Sequence, residues 1–201
     1  MKATPTRSGV TYKELPPFFN SMPAPNYIPH YTIADYRQWE GDWELWRGIP
    51  VAMTPSRFGR HQKLATKISQ RLLNAIEQSN CDDCEVVMEL DWVISDDLVV
   101  RPDVAVCCGQ DIDEFIRSAP KLIIEVLSDS TESKDRTAKY ELYQDQAVEY
   151  YLMVDSRDKR VDAYCLSNGT YERSVVDLDN AATIQIKLHE HCKFDFDLSQ
   201  L

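Results

Sequence analysis

The sequence predicts an α/β (α+β) fold in which a mixed central β-sheet is flanked by helices, preceded by an N-terminal extension. Three observations carry this prediction. Short runs rich in β-branched and aromatic residues fill the middle of the chain, one long segment has helical apolar spacing, and strands occur in series before a helix and a further strand. The chain has 201 residues, 43% hydrophobic and 27% charged, which suits one domain with a real core. The expected organisation is a Pro-rich arm over residues 1–30 and a single domain over 31–201.

The arm contains Pro5, Pro16, Pro17, Pro23, Pro25 and Pro29, which prevent regular structure and suit a segment draped over a neighbour. Thr32 is placed to cap a short helix through about Trp39. Asp42 to Thr54 reads as a hairpin with its turn near Arg47-Gly48. From about Arg60 to Gln78, Leu64, Ile68, Leu72 and Ile76 recur every four residues, with Ala65, Leu73 and Ala75 beside them, which predicts a helix. Lys63, Lys67 and Arg71 lie nearer its other side, where a solvated face is favoured over a DNA contact.

Glu85 to Ser95 alternates, with Val86, Met88, Leu90, Trp92 and Ile94 on one face of a single strand that Asp96-Asp97 ends. Leu98 to Cys107 and Lys121 to Leu127 read as two further strands, and Ser130 to about Gln146 as a charged helix. Glu149 to Asp155 and Arg160 to Leu166 are strands, and Tyr171 to Val176 closes a hairpin over Asn168-Gly169. Ile184 to Leu188 and Phe194 to Phe196 complete the pattern as short edge pieces.

The net charge of −11 argues against a surface coated for DNA binding, but leaves room for a local basic groove and suits a site that concentrates divalent cations. No run of eighteen apolar residues exists to span a membrane, and the first residues lack a secretory apolar stretch. A cytoplasmic protein is therefore expected, with its six cysteines as thiols rather than disulfides. Cys81-Asp82-Asp83-Cys84 and His189-Glu190-His191-Cys192 contain the donors for a Cys₂His₂ or Cys₃His zinc site. Their spacing departs from the usual finger patterns, so idle or buried thiols are the favoured reading.

Two carboxylates stand where strands should be buried. Asp103 lies in Val99-Val100-Arg101-Pro102-Asp103-Val104-Ala105-Val106, and Glu125 in Leu122-Ile123-Ile124-Glu125-Val126-Leu127. An ionised carboxylate buried alone costs several kcal/mol, so each needs a base, a hydrogen-bond network or a metal. Taken singly, each suits an ion pair with Arg101 or Lys139. Taken together, on neighbouring strands, they suit a hard cation such as Mg²⁺ or Mn²⁺. Pro102 removes a ladder donor beside Asp103, which predicts an irregular point that re-aims side chains.

Asp135, Lys139 and Tyr143 are four apart on one face of the next helix. About 17 Å of extended chain leads away from Glu125 and about 13 Å of helix returns, which brings Lys139 level with Glu125. The bland alternative is a surface Asp135–Lys139 pair. Trp39, Trp43 and Trp46 have an aromatic density that suits a packed lid or dimer contact more than base stacking. A homodimer is expected, and its two-fold symmetry suits double-strand cutting.

The ordered series Pro102-Asp103, Ile124-Glu125-Val126-Leu127-Ser128, Asp135, Lys139, Tyr143 and Glu149-Tyr150-Tyr151-Leu152-Met153-Val154-Asp155 resembles the Uma family of the PD-(D/E)XK nuclease superfamily. The resemblance extends upstream to Trp43-Glu44-Leu45, Gly48, Met53-Thr54-Pro55-Ser56 and His61-Gln62, and covers about residues 32 to 166. It implies a restriction-endonuclease-like fold, a divalent-metal-dependent endonuclease and DNA as the first substrate class. It further implies Asp103 and Glu125 as metal ligands, joined by the Val126 carbonyl. The superfamily lysine two residues after the glutamate is Leu127 here, which makes Lys139 its candidate replacement in positioning the nucleophile. Glu44 is a candidate extra acidic member, balanced evenly against a hairpin glutamate facing water. Glu89 and His61 are secondary candidates: Glu89 points away from the apolar face of its strand, and His61 suits a structural role at a helix N-terminus. The rival readings are a nucleic-acid-binding module with an inactive site, and a structural or regulatory dimer in which the carboxylates form buried ion pairs.

Overall fold

The computed structural model describes residues 28–53, 59–128, 131–155, 157, 160–177 and 183–199. Most of the Pro-rich arm, and the Thr54-Pro55-Ser56 segment, lie outside the described residues. Helix α1 (Ile33–Tyr36) starts at Thr32, whose backbone N–H and hydroxyl both donate to Asp35 Oδ2 at 2.9 Å. Strands β1 (Trp43–Trp46) and β2 (Ile49–Ala52) form the expected hairpin. Arg47 and Gly48 both take positive φ, 48° and 78°, as a type I′ turn requires. A side chain at Gly48 would also strike the His30 ring, 2.4 Å from where its Cβ would lie.

Helix α2 (Gly59–Gln78) buries Leu64, Ala65, Ile68, Leu72 and Ile76 and leaves Lys63 and Lys67 exposed, as a 3.6-residue period dictates. The expected single strand over 85–95 is two. Strand β3 (Cys84–Met88) and β4 (Trp92–Ser95) join different sheets, parted where Glu89 turns to φ 49°. The alternation of apolar residues persists across that break and hides it. Strands β5 (Leu98–Val100) and β6 (Val104–Cys108) are likewise separate, interrupted at Arg101-Pro102-Asp103, where Pro102 predicted irregularity.

A mixed six-stranded sheet runs β10-β9-β8-β7-β6-β3, from strands β7 (Leu122–Leu127), β8 (Tyr150–Asp155), β9 (Arg160–Ser167) and β10 (Thr170–Asp177). Only the β7–β8 pair is parallel; it is joined by a helical crossover. A four-stranded sheet, β2-β1-β5-β4, lies beside it. The C-terminal pieces, β11 (Thr183–His189) and β12 (Cys192–Asp197), are not edges of the main sheet: they form their own hairpin.

Alternate residues of the central strands divide the core. Val104, Val106, Leu122, Ile124, Val126, Leu152 and Val154 pack with α2 and the β11–β12 hairpin. Ala105, Ile123, Leu127, Tyr151 and Met153 face the other way, toward Trp92, Leu142 and Tyr143. The crossover begins with α3 (Glu132–Lys134) and ends with α4 (Tyr140–Asp145), but Asp135–Lys139 between them is a π-helical turn, not the uniform helix expected.

The cysteines also depart from expectation. Cys81 is bridged to Cys192 and Cys84 to Cys108, while Cys107 and Cys165 are free thiols. The β11–β12 hairpin folds back against α2, which brings together residues 111 apart in sequence. No helix among the described residues is long and apolar enough to cross a membrane.

Candidate active site

Strand register places the two carboxylates together. Val104 pairs with Ile124 in the antiparallel β6–β7 ladder, so the next pair outward sets Asp103 opposite Glu125 on the same face. That face is the one carrying Ile123 and Leu127, turned toward the crossover helix. Asp103 Oδ2 accepts hydrogen bonds from the Val126 amide at 2.7 Å and His61 Nε2 at 3.1 Å. Its own amide approaches Glu125 Oε2 at 3.4 Å. The Asp103 side chain is 20% exposed; the Glu125 side chain is 2% exposed.

Lys139 reaches Glu125, as the length of the crossover implied. Its ammonium donates to Glu125 Oε1 at 2.6 Å, and the Tyr143 hydroxyl donates to the same oxygen at 2.8 Å. Lys139 Nζ also lies 3.6 Å from Asp135 Oδ1 and 3.7 Å from Glu44 Oε1. The π-helical turn keeps both Asp135 and Lys139 buried, so this is not a surface pair. Tyr151 holds the turn down by donating to the Asp135 carbonyl at 2.9 Å, and Tyr143 stacks on Trp92 with ring centroids 6.0 Å apart.

Glu44 is fully buried rather than facing water, because β1 is an inner strand of its sheet. It accepts from the Arg101 amide at 3.1 Å, Trp46 Nε1 at 2.9 Å and Lys134 Nζ at 2.7 Å. It stands behind Lys139 and Lys134 and does not line the open cleft. The cleft wall includes Asp103, Glu125, Asp135, Lys139, Lys134, His61 and Glu89. Glu89 accepts from Gln62 Nε2 at 3.1 Å. Arg101, a sequence candidate for neutralising the carboxylates, is instead engaged by Asp91 at 2.7 Å and Asp42 at 2.8 Å.

Lys134 was not a sequence candidate. A lysine one residue before a buried aspartate looks like any solvated helical lysine, and only the pairing with Glu44, ninety residues away, distinguishes it. Trp39 and Trp43 lie apart from the cleft, packed edge-on at 6.0 Å, whereas Trp46 supports Glu44.

The charges are unevenly matched. Glu44, Asp103, Glu125 and Asp135 surround two ammonium groups, those of Lys134 and Lys139. Burial pushes Glu125 up to about 8; Lys139 opposes this and the charges of Asp103 and Asp135 add to it. Asp135 is raised, chiefly by burial, against the pull of Lys139. Lys139 is held well above its ordinary range, because the surrounding carboxylates outweigh its burial. Glu44 is held below its usual range: burial acts upward, but Lys139 and Lys134 prevail. His61 is raised, since its bond to Asp103 and the charges of Asp103 and Glu89 outweigh burial.

Asp103, Glu125 and Asp135 supply the ligand type a divalent cation takes, with their oxygens set around Lys139 rather than in one tight cluster. Asp135 Oδ1 is buried without a hydrogen-bond partner, Asp103 opens to the cleft, and carboxylate oxygens are the ligands a hard cation takes.

Residues 33–195 match the model of the Uma2 family, whose description is "Putative restriction endonuclease". "Uncharacterized protein slr1290" of Synechocystis sp. (strain ATCC 27184 / PCC 6803 / Kazusa) is 28% identical over 145 residues, 68% of this chain and 75% of that protein. The crystal structure of "a putative nuclease belonging to DUF820" from Anabaena variabilis ATCC 29413 superposes with a TM-score of 0.64. It is 16% identical and covers 78% of this chain and 89% of that one, so the two share a fold.

Proposed function

The chain belongs to the Uma2 family, and on that premise we propose that it is a divalent-metal-dependent endonuclease hydrolysing phosphodiester bonds, with DNA as its substrate. The observation that carries the proposal is the convergence of Asp103, Glu125 and Asp135 on one open cleft with Lys139 buried among them. Asp103 and Glu125 would hold Mg²⁺ or Mn²⁺, with the Val126 carbonyl as a further ligand. A cation so held polarises a phosphoryl oxygen and acidifies a bound water.

The chain's own residues would do the rest. The Val126 amide and His61 fix the Asp103 carboxylate in one orientation, so its lone pairs need no reorganisation when the substrate phosphate enters. Tyr143 and Lys139 do the same for Glu125. Glu44, behind them, helps keep Lys139 charged and pairs with Lys134. Lys139 is placed to orient the attacking water and to steady charge developing on phosphate. Lys134, 25% exposed at the cleft wall, gives an incoming phosphate a cation to meet. A homodimer would present two such clefts to the two strands of a duplex.

One observation favours a second reading. The 2.6 Å Lys139–Glu125 contact already neutralises the deepest carboxylate, as a structural ion pair would. Calorimetry separates the two. The nuclease reading expects Mg²⁺ or Mn²⁺ to bind the wild type, and Asp103→Ala and Glu125→Ala, both folded, to lose that binding. No binding to the wild type at millimolar metal would favour the ion pair.

A further inference from the structure

A second group of metal-binding side chains lies at the other end of α2. Cys84 Sγ, a ring nitrogen of His189 and Cys192 Sγ all lie within 4.8 Å of one another. Cys81 is bonded to Cys192 and Cys108 to Cys84, so four sulfurs and one imidazole crowd a single small volume. Two disulfides require sulfurs only in pairs. Neither bridge explains why the pairs abut, or why a histidine joins them.

Two tight turns build the group. Cys81-Asp82-Asp83-Cys84 is a turn closed by the Cys84 amide donating to the Cys81 carbonyl at 3.0 Å. His189-Glu190-His191-Cys192 is the two-residue turn of the β11–β12 hairpin, with His189 and Cys192 paired across it. Each turn thus offers two donors, three residues apart, and the turns face each other. His189 Nε2 lies 2.9 Å from Asp83 Oδ1. A carboxylate that accepts the Nε2 proton leaves the lone pair on Nδ1, the arrangement that orients metal-binding histidines; that lone pair now accepts the His191 amide at 3.3 Å and would exchange this bond for the metal.

The geometry points to a structural Zn²⁺ site formed, when the bridges are reduced, by Cys81, Cys84, His189 and Cys192. Tetrahedral zinc with Zn–S bonds of about 2.3 Å sets its sulfurs about 3.8 Å apart, within the 4.8 Å that already spans Cys84, His189 and Cys192; Cys81 is brought to them by its bond to Cys192. Cys81 is the fourth ligand rather than Cys108 because it shares the Cys84 turn and is 1% exposed. Each disulfide opens by taking two electrons and two protons from a thiol reductant, two reductant thiols becoming one disulfide. Zn²⁺ then displaces one proton from each of three thiols, while His189 binds through its lone pair. The ion would tie the C-terminal hairpin to the end of α2, as the Cys81–Cys192 bridge does in the oxidised chain.

The test is a Co²⁺ titration of the full chain held under a dithiol reductant, followed by displacement with Zn²⁺. The expected result is thiolate-to-cobalt charge-transfer absorption that saturates at one equivalent and vanishes on adding zinc. It should be lost in Cys84→Ser and Cys192→Ser, kept in Cys108→Ser, and weakened about tenfold in affinity by Asp83→Asn. Asp103→Ala should keep it, since no cysteine lines the carboxylate cleft; failure of the nuclease reading therefore leaves this result untouched. Absence of the band in fully reduced wild type would overturn the proposal, as would loss of the band in Cys108→Ser with retention in Cys81→Ser.

Discussion

The two faces of the six-stranded sheet are built from neighbouring residues and behave as different materials. Ile124 and Glu125 adjoin in β7, and both are buried, at 0% and 1% exposure. Ile124 points into a layer of aliphatic side chains between the sheet and α2. Glu125 points into a layer of tyrosines, a tryptophan and charges beneath the crossover helix. The first face needs only shape and volume, since apolar contacts are non-directional. The second tolerates a carboxylate only because Lys139, Tyr143 and the Asp103 amide each meet it. Stability comes cheaply on one face; on the other, geometry is held at the expense of desolvated charge.

If the faces differ in this way, Ile124→Ala should lower unfolding free energy by about 2–5 kcal/mol, read from urea denaturation, while leaving metal binding by the folded fraction unchanged. Equal loss of metal affinity would break the distinction. Lys139→Met should cost about 3 kcal/mol above pH 8, where Glu125 must either hold its proton against the pH or ionise without a partner. The cost should shrink at pH 6, where Glu125 can take a proton.

The pH dependence sharpens the same contrast. Glu125, Asp135 and His61 all bind protons more tightly folded than unfolded. Their contribution is complete below the unfolded values and is lost as pH rises, for Glu125 between 4.5 and about 8. The metal-free chain should therefore lose Tm on going from about pH 5 to pH 8, and a saturating divalent cation, replacing the proton, should flatten that slope. A Tm that rises over this window would contradict it. The smallest effect is expected from Trp46→Phe, which removes one donor from buried Glu44 and should cost about 1–2 kcal/mol by thermal denaturation.

What was legible in the sequence follows the same division. The period of α2, the turns at Arg47-Gly48 and Asn168-Gly169, and the apolar run of β7 all express local rules, and the elements lie where those rules put them. Asp103 and Glu125 stood out because each interrupts such a run. The approach of Lys139 to Glu125 followed from chain length alone. Glu44 stayed balanced between cleft and solvent because nothing local says that β1 is an inner strand. The break at Glu89, the π-helical turn and the pairing of Lys134 with Glu44 were hidden for a related reason: each is set by contacts between distant segments. The expectation of free thiols failed at four of the six cysteines, since Cys81–Cys192 depends on the return of the β11–β12 hairpin to α2 and Cys84–Cys108 on the register of β3 against β6, and neither leaves a local signal.

The most direct test of the account is cleavage of supercoiled plasmid DNA by the purified chain with Mg²⁺ or Mn²⁺, with chelator, and by an Asp103→Ala variant that melts like the wild type. The account predicts metal-dependent nicking or linearisation that chelator abolishes and Asp103→Ala reduces by a factor on the order of 10⁴. Cleavage that survives both chelator and Asp103→Ala, or none by a folded, metal-bound wild type, would contradict it.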